Sequence, residues 1–228
     1  MITAMTEPDY LRATRTSYDA MAVDYTDWIR GELAVKPLDR AMLAGFAELV
    51  LATGAGSVAD VGCGPGRLTA HLHGLGLSVF GVDLSPQMIA VARRAYPGLR
   101  FEVGSMLALD VPDGALGGVV AWYSTIHIPQ ERLPDVLAEF HRVLAPGGHL
   151  LLAFQTGDGV SHWTQAAGHA ISLEFHRRQP DHVADLLNQV GLVVRARLVR
   201  EADDHDVYPE DTQQAFLLAR KPADDARP

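Results

Sequence analysis

The run Asp60-Val61-Gly62-Cys63-Gly64-Pro65-Gly66 constrains this chain more than any other feature. It follows Ser57 to Val61, a short apolar stretch that reads as a buried strand, and precedes Arg67 to Gly74, which reads as the start of a helix. Glycines at such a junction let the backbone approach a ligand closely and take φ values other residues avoid. The helix start beyond them offers free N–H groups to an anion. Asp83, 23 residues after Asp60, ends a second strand over Ser78 to Val82. A carboxylate there can accept hydrogen bonds from both hydroxyls of a ribose. A glycine loop plus an acid marks a nucleotide site or a tight structural turn. The spacing is Gly62-x-Gly64-x-Gly66, and Arg67 stands where a dinucleotide loop has its third glycine. The acid at the start of the loop repels a pyrophosphate. It suits a ligand that carries an ammonium group and no phosphates.

The rest of the chain alternates in the same way. Pro86 to Ala95 is a helix with Ser85 as N-cap. Leu99 to Val103 and Gly118 to Trp122 are strands, and Leu133 to Leu144 is a helix with one apolar face. Pro146-Gly147-Gly148 breaks that helix before a fifth strand, His149 to Phe154. Asp181 to Val190 is a helix stopped by Gly191, and Leu192 to Val199 and Gln213 to Ala219 are strands around an acidic loop, Glu201 to Asp211. This order predicts a Rossmann-like, doubly wound, seven-stranded sheet, mostly parallel, with helices on both faces and an antiparallel edge hairpin at the C-terminal end. Residues 1–50 are expected to form a helical cap or lid, 51–220 the core, and 221–228 a frayed tail, within one domain.

Hydrophobic residues make up 48% of the 228 and charged residues 21%, which excludes a disordered chain. The net charge is 19 − 28 = −9 without a dense Lys/Arg run, so neither nucleic acid nor an anionic membrane is an expected partner. Cys63 is the lone cysteine. No apolar stretch reaches the ~18 residues of a membrane span, and Met1 to Leu11 lacks the apolar core of a signal peptide. A reducing, cytoplasmic location is the expectation.

At its glycine loop the sequence resembles the class I S-adenosylmethionine-dependent methyltransferases, in their small-molecule branch. The similarity extends to Gly81-Val82-Asp83-Leu84-Ser85 with Met88, to Leu144-Ala145-Pro146-Gly147-Gly148-His149-Leu150, and to the upstream Tyr18-Asp19-Ala20-x-Ala22-x-x-Tyr25. The resemblance implies S-adenosyl-L-methionine as cofactor and S-adenosyl-L-homocysteine as product. It implies that Gly62 and Gly64 approach the methionyl portion beside Arg67, that Asp60 orients the ammonium directly or through water, and that Asp83 holds the ribose. Leu84 and Met88 would pack on the adenine, with plain core packing as the alternative for Met88. Ser105 stands where many relatives have an acid for the adenine amino group, so a backbone contact from Met106 is the substitute. Trp122 and Tyr25 complete the expected cofactor wall.

After the fourth strand, Trp122-Tyr123-Ser124-Thr125-Ile126-His127-Ile128-Pro129 lacks the Asn/Asp-Pro-Pro-aromatic signature of amino-methylating nucleic-acid enzymes. His127 is the candidate general base, with pocket shaping as its alternative. Tyr18 is the second catalytic candidate, since aromatic faces stabilise cations. Trp28, Tyr123, Gln155 and Trp163, together with Tyr18 and His127, are the expected acceptor wall. They favour an aromatic acceptor that reacts through oxygen, nitrogen or activated carbon. His162, His169 and His176, seven residues apart, would form a loose stripe on a helix, and no acids or cysteines support a metal there. A homodimer is compatible with this reading. A nicotinamide-dependent oxidoreductase and a non-catalytic S-adenosylmethionine-binding protein are the competing functions.

Overall fold

The computed structural model describes residues 7–54 and 56–223. Residues 1–6 of the expected cap and 224–228 of the expected tail lie outside the described residues. Seven strands form one sheet: β1 (Ser57–Val61), β2 (Val79–Asp83), β3 (Arg100–Val103), β4 (Leu116–Trp122), β5 (Leu144–Gln155), β8 (Val193–Arg200) and β9 (Gln214–Arg220). Their order is β3-β2-β1-β4-β5-β9-β8. The first five run parallel, and β9 lies antiparallel between β5 and β8. Strand order therefore reverses between β1 and β4, and a doubly wound sheet opens its ligand crevice at the carboxyl ends on either side of that point.

Burial follows from strand periodicity. Alternate residues face opposite sides of the sheet, and both sides are covered, so the central strands are apolar throughout. On one face Val119, Ala121, Leu150 and Leu152 pack under α6 (Leu133–Val143) and α7 (Pro180–Gln189). On the other, Val58, Val120 and Leu151 pack under α3 (Pro37–Thr53) and α4 (Arg67–Gly74). Gly118 admits α3 closely, because a Cβ there would stand 2.8 Å from the Phe46 ring. α5 (Pro86–Ala95) covers the β2–β3 side through Ile89 and Ala92, which pack with Cys63 and Phe101.

Two expectations need correction. The break at Pro146-Gly147-Gly148 is a bulge inside β5, which already pairs with β4 at Leu144 and resumes pairing at His149. The spacing of His162, His169 and His176 is not helical. Residues 160–176 form a second, two-stranded sheet of β6 (Val160–Ala166) and β7 (His169–His176). Ala167 and Gly168, both at positive φ, make the two-residue turn that joins twisted antiparallel strands. Along β7 buried Ile171 and Leu173 alternate with exposed Ser172 and Glu174, the period of a strand. α1 (Asp9–Ile29) lies across this hairpin and α5, while the short α2 (Glu32–Val35) leads into α3. No helix among the described residues is long and apolar enough to cross a membrane.

Candidate functional site

One cavity of about 1080 Å³ opens at the carboxyl ends of β1, β2, β4 and β5 beneath α1. It lies at the top of the range for single-ligand pockets, roughly 300–1,000 Å³, and has room for two reactants. Every cofactor, acceptor and catalytic candidate from the sequence lines it except Asp60. Gly62, Gly64 and Arg67 form its floor, with Asp83, Leu84, Met88, Ser105 and Met106 at one end. Trp122, Tyr123, His127 and Gln155 form its middle, and Tyr18, Tyr25, Trp28 and Trp163 its roof and far wall.

The glycine loop is fixed from three sides. Gly62 N–H donates to the Val82 carbonyl at 2.7 Å, and Ser124 Oγ donates to the Val61 carbonyl at 2.6 Å, tying the end of β4 to the end of β1. Gly62 and Gly64 both sit at positive φ, and the space beside Gly64 is open. Asp83 accepts from Gly64 N–H and Ser85 N–H, each at 2.8 Å, which aims its carboxylate across the loop. Burial pushes the Asp83 carboxyl up to about 6, and those backbone donors hold it from rising further. Asp60 is 1% exposed, one layer behind the wall. Its Oδ2 accepts from Thr69 Oγ1 at 2.6 Å, while its Oδ1 is buried without a partner among the described residues. Burial pushes this carboxyl up to about 7, with the nearby Asp83 carboxylate adding to the rise.

Tyr18 and His127 meet across the cavity. Nδ1 of His127 lies 2.8 Å from the Glu174 carbonyl, which can only accept, so Nδ1 carries the proton. Nε2 is then a bare lone pair, and it accepts from Tyr18 O–H at 2.8 Å. Burial drives His127 down to about 4 and Tyr18 well above its ordinary value, so the ring is neutral and the phenol protonated around pH 7. Arg178, also buried, donates to the carbonyls of Ile128 and His176 and so fixes the turn that carries His127 against β7. Tyr123 holds φ +52 at the end of β4, and its hydroxyl is buried with no partner among the described residues. Such strained, non-glycine backbone persists where its surroundings enforce it.

Sequence reasoning missed the outer wall. Leu173 and Phe175 of the hairpin line the cavity, and the Trp163 ring packs 4.9 Å from Phe175. The segment read as a plain acidic loop contributes Asp206, Tyr208 and Glu210 to the lining. It is anchored by the buried Lys36, which pairs with Glu210 at 2.5 Å, and by Arg200, which pairs with Glu210 and Asp39. Trp28 and Trp163 remain 55% and 50% exposed at the mouth. Among the described residues no group of three or more His, Cys, Asp or Glu side chains is placed to share a metal ion.

The strand order, the glycine loop at the switch point and the acid ending β2 place a ligand crevice at the carboxyl ends of a doubly wound α/β sheet. Residues 58–148 match the family model described as a methyltransferase domain. Over those residues the chain is similar to methyltransferases, and the solved structures it superposes on include S-adenosylmethionine-dependent ones. A demethylmenaquinone methyltransferase of Chlorobaculum parvum is 38% identical over 92 residues, 40% of this chain and 37% of that protein. The chain spans less than two thirds of the length of the curated relatives it first matches. The 1,6-didemethyltoxoflavin-N1-methyltransferase of Burkholderia thailandensis, solved with 1,6-didemethyltoxoflavin and S-adenosylhomocysteine, superposes with TM-score 0.67 at 21% identity, covering 97% of this chain and 93% of that one. The [4+2]-cyclase SpnF superposes with TM-score 0.72 at 17% identity, covering 97% and 100%. At those identities the likeness is one of fold.

Proposed function

We propose that this protein transfers a methyl group from S-adenosyl-L-methionine to a small aromatic acceptor through an oxygen, nitrogen or activated carbon. The observation that carries the reading is the glycine loop, the Asp83 carboxylate and the Tyr18–His127 pair sharing one cavity. The residues fit the cofactor. An orphaned Asp60 oxygen behind the loop answers an ammonium group through water, Asp83 answers two vicinal hydroxyls, and open space beside Gly64 leaves room for the methionyl chain. Met88, Leu84 and Met106 offer the apolar slot for the adenine. Arg67 is ion-paired with Glu32 on the cavity wall, which further disfavours a pyrophosphate there.

When bound, the cofactor supplies an electrophilic methyl. The protein's part is alignment, exclusion of water and proton custody. α1 roofs the site with Tyr18, Met21 and Tyr25. Trp28 and Trp163 flank an aromatic acceptor at the mouth. A proton lost by the acceptor passes to the Tyr18 hydroxyl as that hydroxyl's own proton moves to Nε2 of His127, a transient state because burial holds the imidazolium down to about 4. Tyr18→Phe or His127→Ala then lowers turnover by about 10²-fold, while cofactor affinity measured by calorimetry changes far less. Equal losses in both quantities reduce the pair to wall residues. Because His127 is neutral down to about pH 4, its protonation does not limit turnover between pH 6 and 8.

Calorimetry tests the assignment. S-adenosylhomocysteine binds the wild type, and Asp83→Ala weakens that binding at least about tenfold, the equivalent of one charge-assisted hydrogen bond. Binding of a nicotinamide dinucleotide in its place overturns the reading. Cofactor uptake with no methylated product from any member of a broad aromatic acceptor panel turns it toward a non-catalytic binding protein.

A further inference from the structure

Three consecutive residues of α1 reach three different partners. Ser17 Oγ donates to the Ser172 carbonyl on β7 at 3.2 Å and accepts from Ser172 N–H at 2.9 Å. Tyr18 donates to His127. Asp19 Oδ1 accepts from Ser85 Oγ at 2.6 Å and from Gln87 N–H at 3.0 Å, at the start of α5. Successive side chains on a helix diverge by about 100°, so α1 is wedged between the hairpin and α5 with Tyr18 pointing between them.

The α5 side of this arrangement is a relay. Met88 N–H donates to Ser85 Oγ at 3.1 Å, and the same hydroxyl donates onward to Asp19. The helix cap thus passes its polarisation to a carboxylate borrowed from α1. Asp83 holds Ser85 N–H beside it, so the acid placed to grip a ribose and the acid that holds the roof share one helix start. The β7 side is held differently, by Ser17 and by Met21 packing on Ile171 and Leu173.

We infer that Asp19 is a positioning residue that clamps α1 onto the start of α5 and so sets Tyr18 over the cavity. Releasing it frees α1 on the α5 side while its edge on β7 stays attached. The roof then opens over Asp83 and Met88 and not over Trp163. The consequence for cofactor exchange rests on the proposed function; the clamp itself does not.

Hydrogen exchange on the ligand-free protein tests the clamp. In Asp19→Ala, and in Asp19→Glu, which keeps the charge but displaces it, amides of α1 exchange at least about tenfold faster. Ser172 N–H on β7 stays protected. Asp19→Asn keeps the accepting oxygen and stays close to wild type. Unchanged α1 exchange in both Ala and Glu variants, or an Asn variant as loose as Ala, overturns the inference. Stopped-flow tryptophan fluorescence adds a second readout, since Trp28 lies on α1. With the clamp released, association and release of S-adenosylhomocysteine both quicken, whereas a slower or unchanged association with weaker binding marks Asp19 as an ordinary cap and overturns the clamp. If the wild type takes up no S-adenosylhomocysteine, the cofactor reading fails and the exchange experiment still decides the clamp.

Discussion

Gly62→Ala lowers the stability of the protein by about 3 kcal/mol or more and removes cofactor binding with it. Gly62 sits at φ +76, a region costly to any residue with a Cβ. The larger cost is steric. An added Cβ would lie 2.2 Å from Ser124 Cβ and 2.9 Å from its Oγ. Neither side can yield. Gly62 is held by its bond to the Val82 carbonyl, and Ser124 by its bond to the Val61 carbonyl. The methyl therefore pries β1 from β4 at the switch point, where the crevice is made. Gly64→Ala separates the two roles of the loop. Its φ is +53, but nothing lies within 4 Å of the added Cβ. It costs only about 1 kcal/mol of stability, while the new methyl occupies space open to the ligand. Denaturant unfolding then reads the first variant and calorimetry the second. Pairing Gly62→Ala with Ser124→Gly recovers part of the lost stability; if it recovers none, the clash is not the cause.

The parts of this molecule that are legible in the sequence are those fixed by local pattern. β1, the glycine loop, α4, β2 and α5 follow one another within 39 residues, Ser57 to Ala95, and each carries its own signal: an apolar run, a glycine turn, a cap. The α6 face and the terminal pair β8–β9 are legible for the same reason. The hairpin β6–β7 is not, because the equal spacing of three histidines mimics a helical stripe. It masks the Ile171-Ser172-Leu173-Glu174 alternation and the Ala167-Gly168 turn, which are the real signals. The acidic wall is illegible for a different reason. Glu210 has a place only because Lys36, 174 residues away in sequence, is buried beside it. The Tyr18–His127 bond, across 109 residues, is of the same kind. Residue type nominates both partners, and only the fold makes them a pair.

Asp60→Asn stabilises the ligand-free protein at pH 8 relative to pH 5 and weakens its hold on the cofactor. The carboxyl is pushed from its usual value near 3.8 up to about 7, first by burial and then by the Asp83 carboxylate, against the opposing pull of Thr69 and Arg67. A folded-state value above the unfolded one means stability that is intact below pH 4 and lost as pH climbs through 7, because the folded state must then ionise a buried acid that the unfolded chain ionises freely. Asparagine has no such titration. Relative to wild type the variant gains about 2–3 kcal/mol between pH 5 and pH 8, since each pH step between the two values changes the balance by about 1.4 kcal/mol. Parallel urea titrations at the two pH values read that difference, and identical differences at both would show that Asp60 is not held protonated by its surroundings. The strain has a use under the proposed function. The orphaned Oδ1 is a buried acceptor with no hydrogen-bond partner among the described residues, and an ammonium group arriving beyond the glycine loop supplies the missing charge. Cofactor binding then draws Asp60 into its ionised form, so wild-type affinity rises with pH through about 7 and binding releases a proton. That proton appears in calorimetry as a binding enthalpy that changes with the ionisation enthalpy of the buffer at about pH 6.5, more steeply in the wild type than in Asp60→Asn. Asp83, which burial holds at about 6, titrates in both proteins, so the difference between them isolates the acid behind the loop.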